Sequence, residues 1–341
     1  MASFRSSRRA FLSGLGATTA VNTFAIGQSR ENVTFGTSWA AQAEQGGYYQ
    51  AFVDGTYARH DLDVSILPGG PQSNNRMLFT AGRIDFYMGT NLLQAFSAVE
   101  QNIPTVIVAA IFQKDPQVLI AHPGQGIETF LDLNKLPTIF VSSEGAVSYY
   151  QWLKANYGFR DEQVKRYTFN PQPFLADKRS AMQGYVTSEP FSIEKISGFR
   201  PKVFLLADQG YDSYANTIET HRRLLADRPE TCQKFIEASI VGWYNYLYGD
   251  NSVANALIKT HNPEISDEAI AYAVARMKEY GIVGSEASAA LGIGSMTESR
   301  VKSFFDKMVK AGVQNPAVDW QQAIDARFVN KGLGTELRKA G

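Results

Sequence analysis

The chain has one cysteine, Cys232, so no disulfide can form within it. Cys232 falls in a helical pattern with Phe235, Ile236 and Ser239 and reads as a core residue. Charge of either sign is not in excess. The 33 basic and 33 acidic residues cancel, which leaves no basic groove for a nucleic acid and no cationic face for a membrane. Strong catalytic motifs are missing too: no P-loop, no G-x-G-x-x-G behind a strand, no H-E-x-x-H and no G-x-S-x-G. The four histidines, His60, His122, His221 and His261, are scattered and read as surface or turn residues. Acid pairs such as Asp61/Asp63 and Glu286/Glu298 flank turns or helix starts and read as solvated surface. No metal cluster and no cofactor motif emerges. No repeat, low-complexity run or proline-rich linker divides the chain.

A long apolar run is also absent from the N-terminus. Ser7-Arg8-Arg9-Ala10-Phe11-Leu12 opens a modestly apolar stretch that ends near Ile26. It is too short, and too rich in Ser, Thr and Gly, to span a bilayer comfortably. No acid appears before Glu31. Twin arginines ahead of such a stretch resemble a bacterial Tat export signal. Ala25-Ile26-Gly27 offers small residues at the −3 and −1 positions of a cleavage site. Residues 1–27 are therefore expected to be a removable signal. No cysteine stands at the cleavage point, so the expectation is a free periplasmic protein without a lipid anchor. Removing the signal takes three arginines and no acid, which leaves a net charge of about −3. Outside the cytoplasm ATP and nicotinamide cofactors are scarce, and capture of small molecules becomes a plausible task.

What is present is a chain 44% hydrophobic, enough to fill about two domain cores. From Val33 to about Pro123 strands alternate with helices. Strands are expected at 33–37, 62–67, 84–88 and 105–112, and helices at 48–59, 72–81 and 91–101. A second α/β set follows, with strands at 138–141, 164–169 and 201–207 and helices at 147–156 and 176–183. From Thr220 onward the pattern is almost wholly helical. Such alternation implies βαβ units and mainly parallel sheets.

In open α/β sheets ligands sit outside the carboxyl ends of the strands, where helix N-termini offer free N–H groups. Five small, polar turns recur at that step. They are Ser38-Trp39 with Gly46-Gly47-Tyr48-Tyr49, Gly69-Gly70-Pro71-Gln72, Gly89-Thr90-Asn91, Ser142-Ser143-Glu144-Gly145 and Ser188-Glu189-Pro190. Taken together they read as one ligand cleft. Trp39, Tyr48, Tyr49 and Tyr149 are the candidate stacking rings. Gly70, Asn91, Ser142, Ser143, Gly145 and Glu189 are the candidate hydrogen-bonding positions. A carboxylate such as Glu189 or Glu44 could pair with an amino-heterocycle or simply cap a helix.

Segments in order from Trp39 carry a family resemblance. Trp39-Ala40-Ala41-Gln42-Ala43-Glu44-Gln45-Gly46-Gly47-Tyr48-Tyr49-Gln50-Ala51 is followed by Gly55-Thr56-Tyr57, Leu62-Asp63-Val64, Pro68-Gly69-Gly70 and Ala81-Gly82-Arg83-Ile84-Asp85-Phe86. Ser188-Glu189-Pro190-Phe191 and the helix from Phe235 to Tyr246 continue it. The chain resembles periplasmic solute-binding proteins of ABC importers, in the group that takes thiamine pyrimidine precursors, sulfonates, nitrate and taurine. The resemblance implies an α/β type II periplasmic-binding-protein fold. Two lobes, 31–121 with 222–341 and 122–221, would be joined by two hinge crossovers around a cleft. It also implies a small-molecule ligand, permease and ATPase partners, no catalysis, and a monomer. Trp39, Gly47, Tyr49 and Ala51 resemble the opening of thiamine-pyrimidine binding proteins and the related pyrimidine synthases. The synthases carry a histidine where Gln45 stands and a cysteine-rich motif near Tyr185–Pro190, and this chain has neither. The alternatives are a flavin, alkanesulfonate, taurine or nitrate binder, a synthase-like enzyme, or a sensor subunit. No arginine cluster stands at the strand ends to clamp a sulfonate.

Overall fold

Residues 30–285 and 289–340 are described in a computed structural model. The expected signal at 1–27 lies outside them. Strand β1 (Glu31–Gly36) has buried Val33 and Phe35 on one face, and β2 (Leu62–Leu67) has buried Leu62 and Val64. That period of two places both against the helices of the first lobe. Strands β3 (Phe86–Asn91) and β4 (Thr105–Phe112) are buried almost throughout, as expected of strands covered on both faces.

Among the described residues ten strands form two five-stranded sheets. Strands β5 (Gln117–Ala121), β6 (Thr138–Val141), β7 (Val164–Arg166), β8 (Ser180–Tyr185) and β9 (Lys202–Leu205) make the second; β10 (Ala215–His221) returns to the first. The orders are β2-β1-β3-β10-β4 and β7-β6-β8-β5-β9. Both repeat one scheme. Three parallel strands are followed by one antiparallel strand, which also pairs with the outer fourth. In each sheet the antiparallel strand is the one the chain enters directly after a crossing.

The crossings fall at 113–116 and 206–214, between the last strand of one sheet and the next strand of the other. This corrects the expected boundaries. β5 belongs to the second lobe and β10 to the first, so the chain changes lobe before 121 and before 221. The pattern of 176–183 also reads differently in the fold: the helix ends at Ala176, and Ser180–Tyr185 is strand β8, paired with β5 and β6. The pairing partners, absent from a local window, override its neutral propensity. β10 fills a stretch for which no element was expected, and helix begins just after it, at Arg222.

The last long helix clamps both crossings. In Glu298–Lys310, the Arg300 guanidinium donates to the carbonyls of Gln113 and Asp212 and lies 4.1 Å over the Tyr214 ring. Lys307 pairs with the Asp212 carboxylate at 2.8 Å. Asp115, within the first crossing, is buried and accepts the Gln117 amide at 3.0 Å.

Candidate ligand-binding cleft

The carboxyl ends of β1, β3, β6 and β8 converge on one cleft between the lobes, with a volume of about 370 Å³. That lies toward the lower end of the ~300–1,000 Å³ usual for small-molecule sites. Of the expected positions, Trp39, Gly70, Asn91, Ser142, Gly145, Tyr149 and Glu189 line it.

Trp39 is held by its own loop. Thr37 Oγ1 donates to the Trp39 carbonyl at 2.8 Å and accepts the Gly69 amide at 2.9 Å. The buried Asn75 amide binds the carbonyls of Thr37, Leu67 and Pro68. A Cβ at Gly69 would overlap the Thr37 carbonyl, so the two loops close only over glycine. Gly70 takes φ +151°, which also favours glycine. The half-buried indole of Trp39 then meets Phe169 of the other lobe, ring centroids 4.8 Å apart and tilted by 50°. Phe169 adopts a left-handed φ of +63°, a strained conformation for an aromatic residue. Nothing in the residues around it signals this contact, because its partner lies 130 positions away.

The second lobe supplies a hydrogen-bonded wall. Ser142 caps the helix Ser143–Val147 by accepting the Gly145 amide at 3.1 Å. The Ser142 amide and the Tyr149 hydroxyl both donate to Gln183 Oε1, at 2.6 and 3.0 Å. A Cβ at Gly145 would come 2.7 Å from the Tyr149 ring, so glycine there admits the ring. Glu189 accepts the Tyr185 amide at 2.7 Å. Asn91 caps the helix Leu92–Glu100, its side chain accepting the Leu93 amide. Glu144, on the second lobe, reaches across to Gln94 at 2.9 Å.

Three expected residues are not cleft walls. Tyr48 is wholly buried between Phe35 and Trp243, with centroids 4.5 and 5.7 Å away. It touches the site only through Asn216, whose Oδ1 accepts the Tyr48 hydroxyl while its Nδ2 donates to the Glu44 carbonyl. Tyr49 is also buried, and its hydroxyl shares a hydrogen bond with His261 on the far side. Both lie in the helix Gly46–Val53, which crosses the long helix Pro229–Tyr248. There Gly46 and Gly47 face the rings of Tyr246 and Trp243, so these glycines serve helix packing. Ser143 is exposed and lies outside the lining.

The electrostatics are one-sided. Three carboxylates, Glu44, Glu144 and Glu189, line the cleft, and Arg76 is its sole lysine or arginine among the described residues. Arg76 is already paired, at 2.6 Å, with buried Glu219. Burial pushes the Glu44 carboxyl up, against the pull of the Thr187 hydroxyl that donates to it from the other lobe. Burial likewise pushes Glu189 up to about 7 and Asp115 up to about 7. Tyr185 is raised first by burial and then by the surrounding carboxylates. Such a site favours neutral or cationic groups rich in N–H and O–H donors and repels anions. No histidine or cysteine lines it, and no group of metal-ligating side chains occurs among the described residues.

A family model described as NMT1/THI5 like matches residues 42–249. The riboflavin-binding protein RibY of Chloroflexus aurantiacus is 24% identical over 313 residues, covering 89% of this chain and 87% of that protein. Among solved structures, the periplasmic aliphatic sulphonate binding protein SsuA of Escherichia coli matches with a TM-score of 0.61 at 13% identity, covering 86% of this chain and 92% of that one. The desulfurization enzyme DszB matches with a TM-score of 0.57 at 12% identity, covering 90% and 100%. The two sheets and their crossings are thus the periplasmic-binding-protein fold, used elsewhere by binders and by an enzyme alike. Since the family model spans well over half of the sequence, from the Trp39 loop through β10 to the long helix, the chain belongs to the NMT1/THI5-like family.

Proposed function

We propose that this chain is a periplasmic solute-binding protein that captures a small, flat heteroaromatic between its lobes and delivers it to the permease and ATPase of an ABC importer. The observation that carries the ligand class is the pairing of Trp39 with an acidic cleft that has no uncommitted arginine or lysine. Ring stacking contributes roughly 0.5–1.5 kcal/mol beyond burial. Glu189 and Glu44 suit a ligand bearing amino or ring N–H groups, as a thiamine pyrimidine precursor does. The modest cleft volume suits a ligand of that size. Trp39 and Phe169 belong to different lobes, so opening about the crossings at 113–116 and 206–214 separates them and admits the ligand. The protein acts as a monomer, reaches the periplasm by a Tat-like signal and performs no chemistry. Among the described residues, no histidine or cysteine stands on the cleft wall to act as nucleophile or base.

A flavin is the second reading, and the riboflavin-binding relative is what favours it. Sulfonate, taurine and nitrate fit less well, because an anion would face three carboxylates. A thermal-shift panel tests the assignment, using aminopyrimidines, riboflavin, taurine, alkanesulfonates and nitrate. A heteroaromatic alone should raise the melting temperature. Stabilisation by a sulfonate or nitrate alone would overturn the ligand class. Turnover of an aminopyrimidine precursor would overturn the non-enzymatic reading.

A further inference from the structure

Beneath the stacking part of the cleft lies a second polar group that the ligand reading does not use. In the β3–β10 pair Gly89 stands opposite Thr217, and Tyr87 opposite Glu219, so all four share one sheet face. Gly89 and Tyr87 line the cleft. A Cβ at Gly89 would overlap Glu219 Oε1 and meet Thr217 Oγ1 at 2.5 Å. The Glu219 carboxylate therefore packs against the glycine, one layer behind the residues that line the cleft. The β4–β10 register shifts between Ile218 and Glu219, a bulge of the kind that re-aims a side chain.

Glu219 is 1% exposed and Thr217 is wholly buried. Glu219 Oε2 accepts from Arg76 at 2.6 Å, while Glu219 Oε1 and Thr217 Oγ1 have no hydrogen-bond partner among the described residues. Leaving such buried groups unmatched is costly, so two of them converging on one cleft-lining glycine mark a prepared position. Arg76 lines the same stretch of the cleft and is held over the rings of Tyr87 and Phe79.

We propose that Arg76, Thr217 and Glu219 form a subsite over Gly89 that takes an uncharged hydroxyl arm of the ligand. An alcohol donates its proton to Glu219 Oε1 and accepts from the Thr217 hydroxyl or the Arg76 guanidinium. A phosphate ester in that position meets the Glu219 carboxylate, and an ammonium meets Arg76. The subsite thus selects a neutral polyol or hydroxymethyl group. The inference rests on the cleft being a ligand site, and it adds which end of the ligand points down to β3 and β10.

The test is calorimetric, on the full chain, with matched pairs. Riboflavin is compared with lumichrome, which lacks the polyol, and with flavin mononucleotide. 4-Amino-5-hydroxymethyl-2-methylpyrimidine is compared with 4-amino-2,5-dimethylpyrimidine. The hydroxylated member of whichever pair binds should be preferred by about tenfold, and the phosphorylated flavin disfavoured. In Glu219→Gln the preference should fall to about threefold or less. In Thr217→Val, which keeps the shape, it should fall in part. An undiminished preference in Glu219→Gln overturns the subsite. If neither pair binds, the heteroaromatic reading fails, and free ribitol decides the subsite separately. Ribitol shifting the Gly89 and Thr217 amide resonances in the parent, and not in Glu219→Gln, supports it. No shift in the parent overturns it.

Discussion

Two glycine–tyrosine segments, Gly46-Gly47-Tyr48-Tyr49 and Gly145 with Tyr149, look alike in the sequence and do opposite things. In the first, the space beside each glycine is taken by Tyr246 and Trp243 of a crossing helix, and the tyrosines are pulled into the core of the first lobe. In the second, the space beside the glycine is taken by the tyrosine that opens the next helix, and the ring stands in the cleft. Glycine before an aromatic therefore marks close approach. What approaches, a helix or a ring of the site, decides whether the position serves stability or binding.

Substitutions can break that contrast. Gly47→Val drives a branched side chain into the Trp243 ring and should cost about 3 kcal/mol or more, read as a lowered urea midpoint. Binding by the protein that remains folded should hold within about twofold, and a large loss there would return this segment to the site. Trp39→Ala should do the reverse. Its loss of stacking and burial, about 2 kcal/mol, weakens a heteroaromatic about 30-fold in calorimetry and shifts the urea midpoint little.

The third prediction concerns pH. Burial raises Asp115 from its ordinary 3.8 to about 7. Across that interval the folded protein keeps a proton that the unfolded chain releases. This group's contribution is therefore fully present below about pH 4 and is lost as pH rises to 7. Asp115→Asn, which stays neutral, should gain on the parent by on the order of 2 kcal/mol between pH 4 and pH 7. A constant difference across that range would show that Asp115 is not held in its protonated form. Smallest of all, Tyr149→Phe removes one of the two hydrogen bonds to Gln183 Oε1 while the Ser142 amide keeps the other. The expected cost is about 1 kcal/mol, or about fivefold in affinity.

The sequence made the alternating first lobe legible, because β1 to β4 and their helices repeat local periodicities. It also pointed to Trp39, Ser142, Tyr149 and Glu189, because strand-end turns in such folds gather at one place. It hid β8 and β10. Ser180-Ala181-Met182-Gln183 has no local bias toward extended structure, and only β5 and β6 on either side make it a strand. Phe169, Asn216 and the Arg76–Glu219 pair were hidden for the same reason. Each matters through a partner more than 100 residues distant, and no window on the sequence contains both.

The position of β10 governs how the molecule can be assembled. It stands between β3 and β4 in the sheet, yet it leaves the ribosome after the whole of the second sheet. A nascent chain that has made residues 30–112 holds β4 with no neighbour in its sheet. The second lobe, continuous from β5 to β9, can close while the first still waits. The topology predicts folding from the inserted lobe outward, with a long-range pairing as the late and slow event. The interval before β10 arrives is when the open edges of β3 and β4 are most exposed to aggregation, and a holding chaperone would have its use there.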